Sequence, residues 1–166
     1  QFLLSHFLPG RDYAFQSIWK GGKLVLGKIC ERLSYVGGEN RASGTSSTPQ
    51  IGRTVVNKDL IDICSRAVLA LDPNATGNYN FDLKEDEEGN LNICEINIGR
   101  FCMITPIFDL TGKHNMAETY IKLAFGEELK IDYPLDIEEN VYLIRYLDTE
   151  PLIIREKEIE ERLSLL

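Results

Sequence analysis

Two runs of alternating residues around a glycine turn constrain this chain more than any other feature of its sequence. The runs Gly77 to Leu83 and Ile93 to Ile98 flank the dipeptide Glu88-Gly89. Strand-forming residues on both sides of a glycine turn predict a β-hairpin over Gly77–Ile98. Because consecutive side chains on a strand point to opposite faces, this hairpin also determines which polar residues can meet.

A turn centred on Glu88-Gly89 places Asp82 opposite Glu95. It likewise places Asn80 opposite Asn97. Directly opposed residues have Cβ atoms about 5 Å apart, so the two carboxylates repel each other unless a cation compensates them. Since carboxylate and amide oxygens suit Mg²⁺, the pairing predicts an open metal site of the kind that Mg²⁺ shares with nucleotide phosphates.

The same polar residues have a simpler explanation, which spacing alone favours. They could form the solvated face of an antiparallel hairpin. Against this alternative, Leu91 and Ile93 share the parity of Glu95 and Asn97, so in a regular strand the polar pair continues an apolar face. A carboxylate at such a position is less easily explained as part of a solvated surface.

The rest of the chain predicts an α+β fold with an antiparallel sheet and packed helices. The loop over Tyr35–Thr48 is polar and glycine-rich; it is either a surface linker, which the sequence alone favours, or a loop that faces a substrate or a phosphate. The remaining predicted elements are an opening strand at Phe2–Leu4, a hairpin of Asp12–Trp19 with Lys23–Cys30, helices over Asn57–Leu71 and from Asn115 to Phe125-Gly126, strands over Asn140–Tyr146 and Leu152–Ile154, and a charged helical end over Glu156–Leu166.

Composition excludes several classes of function. The net charge of −8 disfavours nucleic-acid binding, which needs clustered Lys and Arg. No apolar run approaches the roughly 20 residues that span a bilayer, so we expect no membrane partner. With two histidines in all, a histidine zinc site or a Ser-His-Asp triad is poorly supported. The four cysteines lack Cys-x-x-Cys spacing and have apolar neighbours, so we expect buried, reduced thiols and a cytoplasmic location.

The segment Asn80-Phe81-Asp82, followed by Glu95-Ile96-Asn97, resembles the metal signature of the ATP-grasp superfamily, in the branch that contains carbamoyl-phosphate synthase. The resemblance implies that Asp82, Glu95 and Asn97 hold the Mg²⁺ ions of Mg-ATP. Mn²⁺ could replace Mg²⁺ at these residues. In that family an arginine follows shortly after the asparagine and contacts the terminal phosphate or acyl phosphate. Here the candidate is Arg100, which stands one residue further along than in carbamoyl-phosphate synthase.

The opening segment, Leu4 to Tyr13, resembles the hinge that follows the adenine-binding strand in the same family. The resemblance implies that Phe7 and Leu8 lie at the adenine and that Asp12 binds the ribose hydroxyls. His6 stands where the family often has Glu, and ordinary turn chemistry is an alternative explanation for His6 and Asp12. The segment Arg41 to Ser46 aligns loosely with the family's acceptor-side loop.

The resemblance covers roughly Leu4 to Leu129. It implies that residues 1–131 form an ATP-grasp C-terminal subdomain, incomplete at its N-terminal side, and that residues 132–166 are an extension packing on it. The intact protein is then expected to be an ATP-dependent carboxylate–amine ligase that acts through an acyl phosphate, with nucleotide and a small carboxylate or amine as ligands. The family's glycine-rich phosphate loop lies upstream of the hinge, so we expect a missing N-terminal part of the same protein and an inactive fragment. The competing class is a non-catalytic module that binds nucleotide or a divalent metal.

Overall fold

One seven-stranded sheet forms the framework of the computed structural model, which describes residues 4–165. The strands are β1 Asp12–Lys20, β2 Lys23–Tyr35, β3 Pro49–Val55, β4 Gly77–Glu85, β5 Leu91–Ile98, β6 Val141–Tyr146 and β7 Thr149–Arg155. The α-helices are α1 Lys58–Leu71, α2 Thr105–Leu110, α3 Met116–Ala124 and α4 Glu156–Leu163. Across the sheet the order is β5-β4-β1-β2-β3-β6-β7, and every neighbouring pair is antiparallel. The predicted α+β fold class, with an antiparallel sheet and packed helices, is confirmed.

The predicted hairpins and helices are confirmed, and two elements are additional to the prediction besides a single 3₁₀ turn at Gly38–Asn40. These two are β3, which lies between β2 and β6, and the short helix α2. Of the predicted opening strand, residues 2 and 3 lie outside the described residues, and Leu4 is exposed and not in a strand. None of the helices within residues 4–165 is both long and apolar enough to cross a membrane.

Helix α1 covers one face of the sheet. Asn57 caps its start, because the side-chain oxygen accepts a hydrogen bond from the Leu60 amide at 3.0 Å. Leu60, Cys64 and Val68 recur at four-residue spacing and are fully buried against the aromatic rings of β1 and β4. Burying each such side chain stabilises the fold by about 1.5–3 kcal/mol relative to leaving it exposed.

Helices α2 and α3 cover part of the opposite face. Ile107 and Phe108 of α2 and Met116 of α3 are buried against Ile18 and Leu26 of the sheet. Toward the start of β1 the same face carries charged side chains instead of an apolar cover. The candidate site lies in this uncovered region.

The C-terminal segment is tied to the sheet by backbone pairing and by a buried lysine. Strand β6 pairs with β3, and the Thr54 hydroxyl donates to the Glu138 carbonyl at 2.6 Å. Lys28 is fully buried; its Nζ donates to the carbonyls of Phe108 at 2.6 Å and His114 at 2.7 Å. The same Nζ lies 3.8 Å from an Asp136 carboxylate oxygen, and burial lowers the pKa of Lys28. The division of the chain between residues 131 and 132 stays a prediction.

Candidate functional site

The polar pairs of the central hairpin meet across β4 and β5 as predicted. Asp82 pairs with Glu95, and Asn80 pairs with Asn97. The register changes between Asp82 and Leu83, since Leu83 pairs with Ile93 and leaves one extra residue, Cys94, in β5. A single extra residue in one strand of an antiparallel pair is a β-bulge.

The bulge overturns the argument from parity. Ile93 and Ile96 are an odd number of residues apart, yet both pack with Leu91 against the core under α1. Leu91 and Ile93 therefore lie on the face opposite Glu95, and the expectation that they share a face with the polar pair is wrong. The bulge is the physical reason, because one extra residue reverses the facing of everything beyond it.

Asp82 and Glu95 open into a cavity of about 340 Å³. Its walls come from β2, β4 and β5, from the loop before β3, and from the segment that joins β5 to α2. Residues that bear on its chemistry are Arg32, Tyr35, Asn80, Asp82, Glu95 and Arg100. Of the seven residues predicted for the site, the structure brings Asp82, Glu95 and Arg100 together in this cavity.

Arg32 is a charged neighbour of Asp82 that the sequence analysis did not identify. Its Nη2 bonds to the Asp82 carboxylate, and its Nη1 lies 3.0 Å from an Asp12 carboxylate oxygen. Burial by itself lowers the pKa of Arg32, but the Asp82 and Asp12 carboxylates outweigh it and raise that pKa above the value for a free arginine. Arg32 thus stays charged and supplies part of the compensation that two facing carboxylates need.

The side chains of Asn80 and Asn97, the pair next to Asp82 and Glu95, each have one buried atom without a hydrogen-bond partner within the described residues. Asn80 is 3% exposed and lines the cavity, and its side-chain oxygen has no hydrogen-bond donor within the described part of the chain. The side-chain nitrogen of Asn97 is also buried without a partner there, although Asn97 does not line the cavity. A buried acceptor without a donor is costly unless a ligand satisfies it. An unpaired oxygen beside two carboxylates fits a hard cation.

The Arg100 side chain reaches the cavity because the chain turns sharply after β5. Gly99 has a φ of +82°, a conformation that glycine adopts without a steric penalty. Gln16, which is fully buried on β1, then holds the following segment, since its side-chain oxygen accepts from the Cys102 amide and the Thr105 hydroxyl at 2.9 Å each. Gly99 and the contacts of Gln16 therefore bring Arg100 to the wall of the cavity.

The residues predicted for adenine and ribose lie apart from the cavity wall. Phe7 is 66% exposed, Leu8 is half-buried, and neither is among the residues that line the cavity. Their segment is fixed at Gly10, whose amide donates to the Glu85 carbonyl at 3.0 Å. Asp12 is occupied by protein groups: besides Arg32, the Tyr35 hydroxyl donates to it at 2.7 Å.

The glycine-rich loop and the cysteines complete the surroundings. Ser46 and Ser47 of the loop line the cavity, so its second half faces the candidate site. Cys30 and Cys64 are buried free thiols as expected, Cys102 is only partly buried, and Cys94 is exposed. The expectation of burial is wrong there because the extra residue of the bulge is left out of the ladder.

Counting only histidine, cysteine, aspartate and glutamate, no group of three or more is placed to hold a metal within residues 4–165. The candidate ligand set consists of two carboxylates, Asp82 and Glu95, and of neighbouring amide oxygens. Such a set is incomplete for an all-protein cage, but Mg²⁺ commonly keeps waters and shares its shell with substrate phosphates. The residues present therefore fit a metal that arrives with a nucleotide.

Comparison with solved structures identifies the fold. A biotin carboxylase–β,γ-ATP complex from Campylobacter jejuni matches with a TM-score of 0.61 and 16% identity, over 83% of this chain and 30% of that one. The L-amino acid ligase from Bacillus licheniformis matches with a TM-score of 0.57 and 14% identity, over 82% and 33%. The N5-carboxyaminoimidazole synthase of Aspergillus clavatus, in complex with ADP and 5-aminoimidazole ribonucleotide, matches with a TM-score of 0.58 and 11% identity, over 81% and 34%.

The chain has the fold of an ATP-grasp subdomain. At these identities the likeness is one of fold, and the chain spans about a third of the length of each neighbour. No family model matches the sequence, and no curated protein matches it. A shared fold does not establish a shared function, so the chemistry of the site is argued from the residues themselves.

Proposed function

We propose that this chain provides the C-terminal half of the ATP and Mg²⁺ site of an ATP-dependent carboxylate–amine ligase similar to carbamoyl-phosphate synthase. The observation that supports it most is the pairing of Asp82 with Glu95 at the mouth of one cavity, beside the unpaired oxygen of Asn80. The biotin carboxylase and carboxyaminoimidazole synthase neighbours, described in complex with β,γ-ATP and with ADP, are consistent with a nucleotide at this fold.

Asp82, Glu95 and Asn97 are the proposed metal ligands. Asp82 uses one carboxylate oxygen for Arg32, and its second oxygen makes no hydrogen bond or ion pair within residues 4–165. Mg²⁺, or Mn²⁺ in its place, would supply charge neutralisation of the phosphates there. Asn97 pairs directly with Asn80 across the β4–β5 ladder, and its amide oxygen would turn toward the ion.

Arg100 is the proposed catalytic residue. A guanidinium in the cavity wall can donate to phosphoryl oxygens as their negative charge increases during transfer, which is electrostatic stabilisation without a covalent step. Phe7 and Leu8 are proposed to contact the adenine. Asp12 is proposed for the ribose, and to reach it Asp12 has to exchange the Tyr35 hydroxyl for a ribose hydroxyl, which is a like-for-like replacement.

The proposed reaction has two steps. A carboxylate, or bicarbonate or carbamate, attacks the γ-phosphorus of ATP, so that an acyl phosphate and ADP form. An amine or ammonia then attacks the acyl carbon, and inorganic phosphate leaves. No side chain of this chain forms a covalent bond in either step. Further phosphate contacts would come from an upstream part of the same protein. The four free thiols are consistent with the proposed cytoplasmic location.

The test is a titration of the intact protein with Mg-ATP. We expect Asp82→Asn and Glu95→Gln each to weaken the binding of Mg-ATP by about tenfold or more. Substituting residues that merely contact a metal's ligands already costs about that much in metal affinity. Glu87→Gln is the matched control, because Glu87 is an exposed carboxylate at the tip of the same hairpin. If both site variants retain the affinity and turnover of the wild type, the metal assignment is wrong. Binding without turnover would favour the non-catalytic module.

A further inference from the structure

The charges of the cavity balance without any bound ion. Among the residues that line it, Asp82 and Glu95 are negative, and Arg32 and Arg100 are positive. Asp12 lies behind the wall and is paired with Arg32, with Lys84 at 3.9 Å. A free divalent cation therefore meets a site whose formal charge is already zero.

Arg32 is held firmly in its position by its surroundings. Its side chain is 14% exposed and bridges two carboxylates, one on β1 and one on β4. The Tyr35 hydroxyl fixes the second oxygen of Asp12, and burial together with this bond raises the pKa of Tyr35, so the hydroxyl remains a donor. Moving Arg32 away would leave the partly buried Asp82 carboxylate without its cation and Asp12 with Lys84 alone, which is costly.

We propose that Arg32 is the resident cation of the site and makes it selective for a metal–nucleotide complex over a free metal ion. This inference rests on the proposed function, since it concerns the same carboxylates. A divalent ion at Asp82 and Glu95 shares Asp82 with the Arg32 guanidinium, and the two positive groups repel each other. The phosphates of a nucleotide add the negative charge that makes both cations favourable.

The same contact allows a competing role with the opposite sign. If Arg32 served only to orient Asp82 toward the ion, its removal would loosen a metal ligand and weaken metal binding. Under the proposal its removal frees a carboxylate and strengthens the binding of free metal. Binding of free Mn²⁺, without nucleotide, therefore separates the two roles.

The experiment is an electron paramagnetic resonance titration of the chain with Mn²⁺ alone. We expect Arg32→Gln to bind Mn²⁺ about tenfold to a hundredfold more tightly than the wild type, the range over which a neighbour of a ligand alters metal affinity. The double variant Arg32→Gln with Asp82→Asn should lose this gain. Unchanged or weakened Mn²⁺ binding by a folded Arg32→Gln variant overturns the proposal.

Arg53→Gln is the matched control. Arg53 pairs with the buried Glu31 at 2.5 Å, an arginine–carboxylate contact of the same kind. Its ladder partner Glu31 pairs with Tyr13, which places this contact on the α1 face of the sheet, away from the cavity. We expect its Mn²⁺ affinity to equal that of the wild type. A gain as large as that of Arg32→Gln would show a general effect of lost positive charge and overturn the proposal.

Thermal unfolding followed by circular dichroism covers the case in which Arg32→Gln is unfolded in buffer. The proposal then requires that added Mn²⁺ restores the fold of this variant, since the ion replaces the missing cation. Failure of Mn²⁺ to restore it overturns the proposal. The outcome is distinguishable from that of the proposed function: a wild type that binds Mg-ATP without a gain in Arg32→Gln refutes only the inference, and a gain without Mg-ATP binding refutes only the function.

Discussion

Replacing Gln16 by methionine tests how the wall of the cavity is held. Gln16 is fully buried, and its side-chain nitrogen donates to the Asn78 side-chain oxygen at 3.2 Å. Its oxygen accepts from the Cys102 amide and the Thr105 hydroxyl. Methionine has a similar length and volume, so the substitution removes the hydrogen bonds and leaves little empty space.

The loss leaves two groups without partners. Thr105 keeps an acceptor, because its hydroxyl also lies 2.6 Å from the Cys102 carbonyl. The Cys102 amide and the Asn78 oxygen have none in its place, and each buried unsatisfied group costs about 1–3 kcal/mol. Water can reach the half-buried Cys102, so we expect a total loss of about 2–4 kcal/mol in the free energy of unfolding.

Urea unfolding followed by the fluorescence of Trp19, the single tryptophan, measures this loss. Gln50→Met is the control, because the partly buried Gln50 side chain makes no hydrogen bond within residues 4–165. Amide hydrogen exchange at Cys102 gives a local measurement and should accelerate in Gln16→Met alone. A Gln16→Met protein within about 0.5 kcal/mol of the wild type, the usual range for inert substitutions, would refute the reasoning.

Two further predictions concern stability. Leu60→Ala should lower the free energy of unfolding by about 2–5 kcal/mol, whereas Leu69→Ala, 40% exposed on the same helix, should change it by much less; equal losses in urea unfolding would contradict the packing described for α1. The pKa of Asp136 lies below its ordinary value of 3.8: burial opposes this, but the amides of Lys113 and His114 outweigh it. The stabilising contribution of the ionised Asp136 is thus complete above about pH 3.8 and is lost as the pH falls through the lower pKa of the folded state. The free energy of unfolding of Asp136→Asn should therefore be about 1–3 kcal/mol below that of the wild type at pH 6, and the difference should narrow below pH 3.8. A pH-independent difference in urea titrations would contradict it.

Local chemistry made the hairpin and the main helices predictable. Helix α1 has a capping asparagine at residue 57 and an apolar stripe, and both act within a few residues of each other. The facing of Asp82 and Glu95 followed from counting across the turn. The count succeeded through two compensating differences. Near the turn the strands pair one residue away from the predicted register, since Leu83 pairs with Ile93 and not with Cys94. The extra residue Cys94 then restores the predicted register at Asp82 and Glu95.

Strand β3 was hidden by its composition. It contains Pro49 and Gly52, which are both depleted in strands. Gly52 is needed for packing, because a Cβ there would lie 2.7 Å from the Cys30 sulfur. The strand exists because β2 and β6 pair with its two edges, which no local window of sequence reveals.

Arg32 and Gln16 had no local signal of any kind. Arg32 meets Asp82 across 50 residues of sequence, and Gln16 meets Cys102 across 86. Both lie within ordinary strand patterns, and their roles come only from the strand order. The part of the site that the sequence predicts is the part made by one hairpin, and the part contributed by β1 and β2 requires the assembled sheet.

Cys94 is the extra residue of the bulge and has no partner in the β4–β5 ladder. On the turn side Ile93 faces Leu83, and on the other side Glu95 faces Asp82, so excising Cys94 would join two stretches that already agree. A deletion further along β5 would shift one stretch by one residue relative to β4 and turn every side chain of that stretch to the opposite face. Homologues that lack this position would therefore keep their two carboxylates opposed across the strand pair.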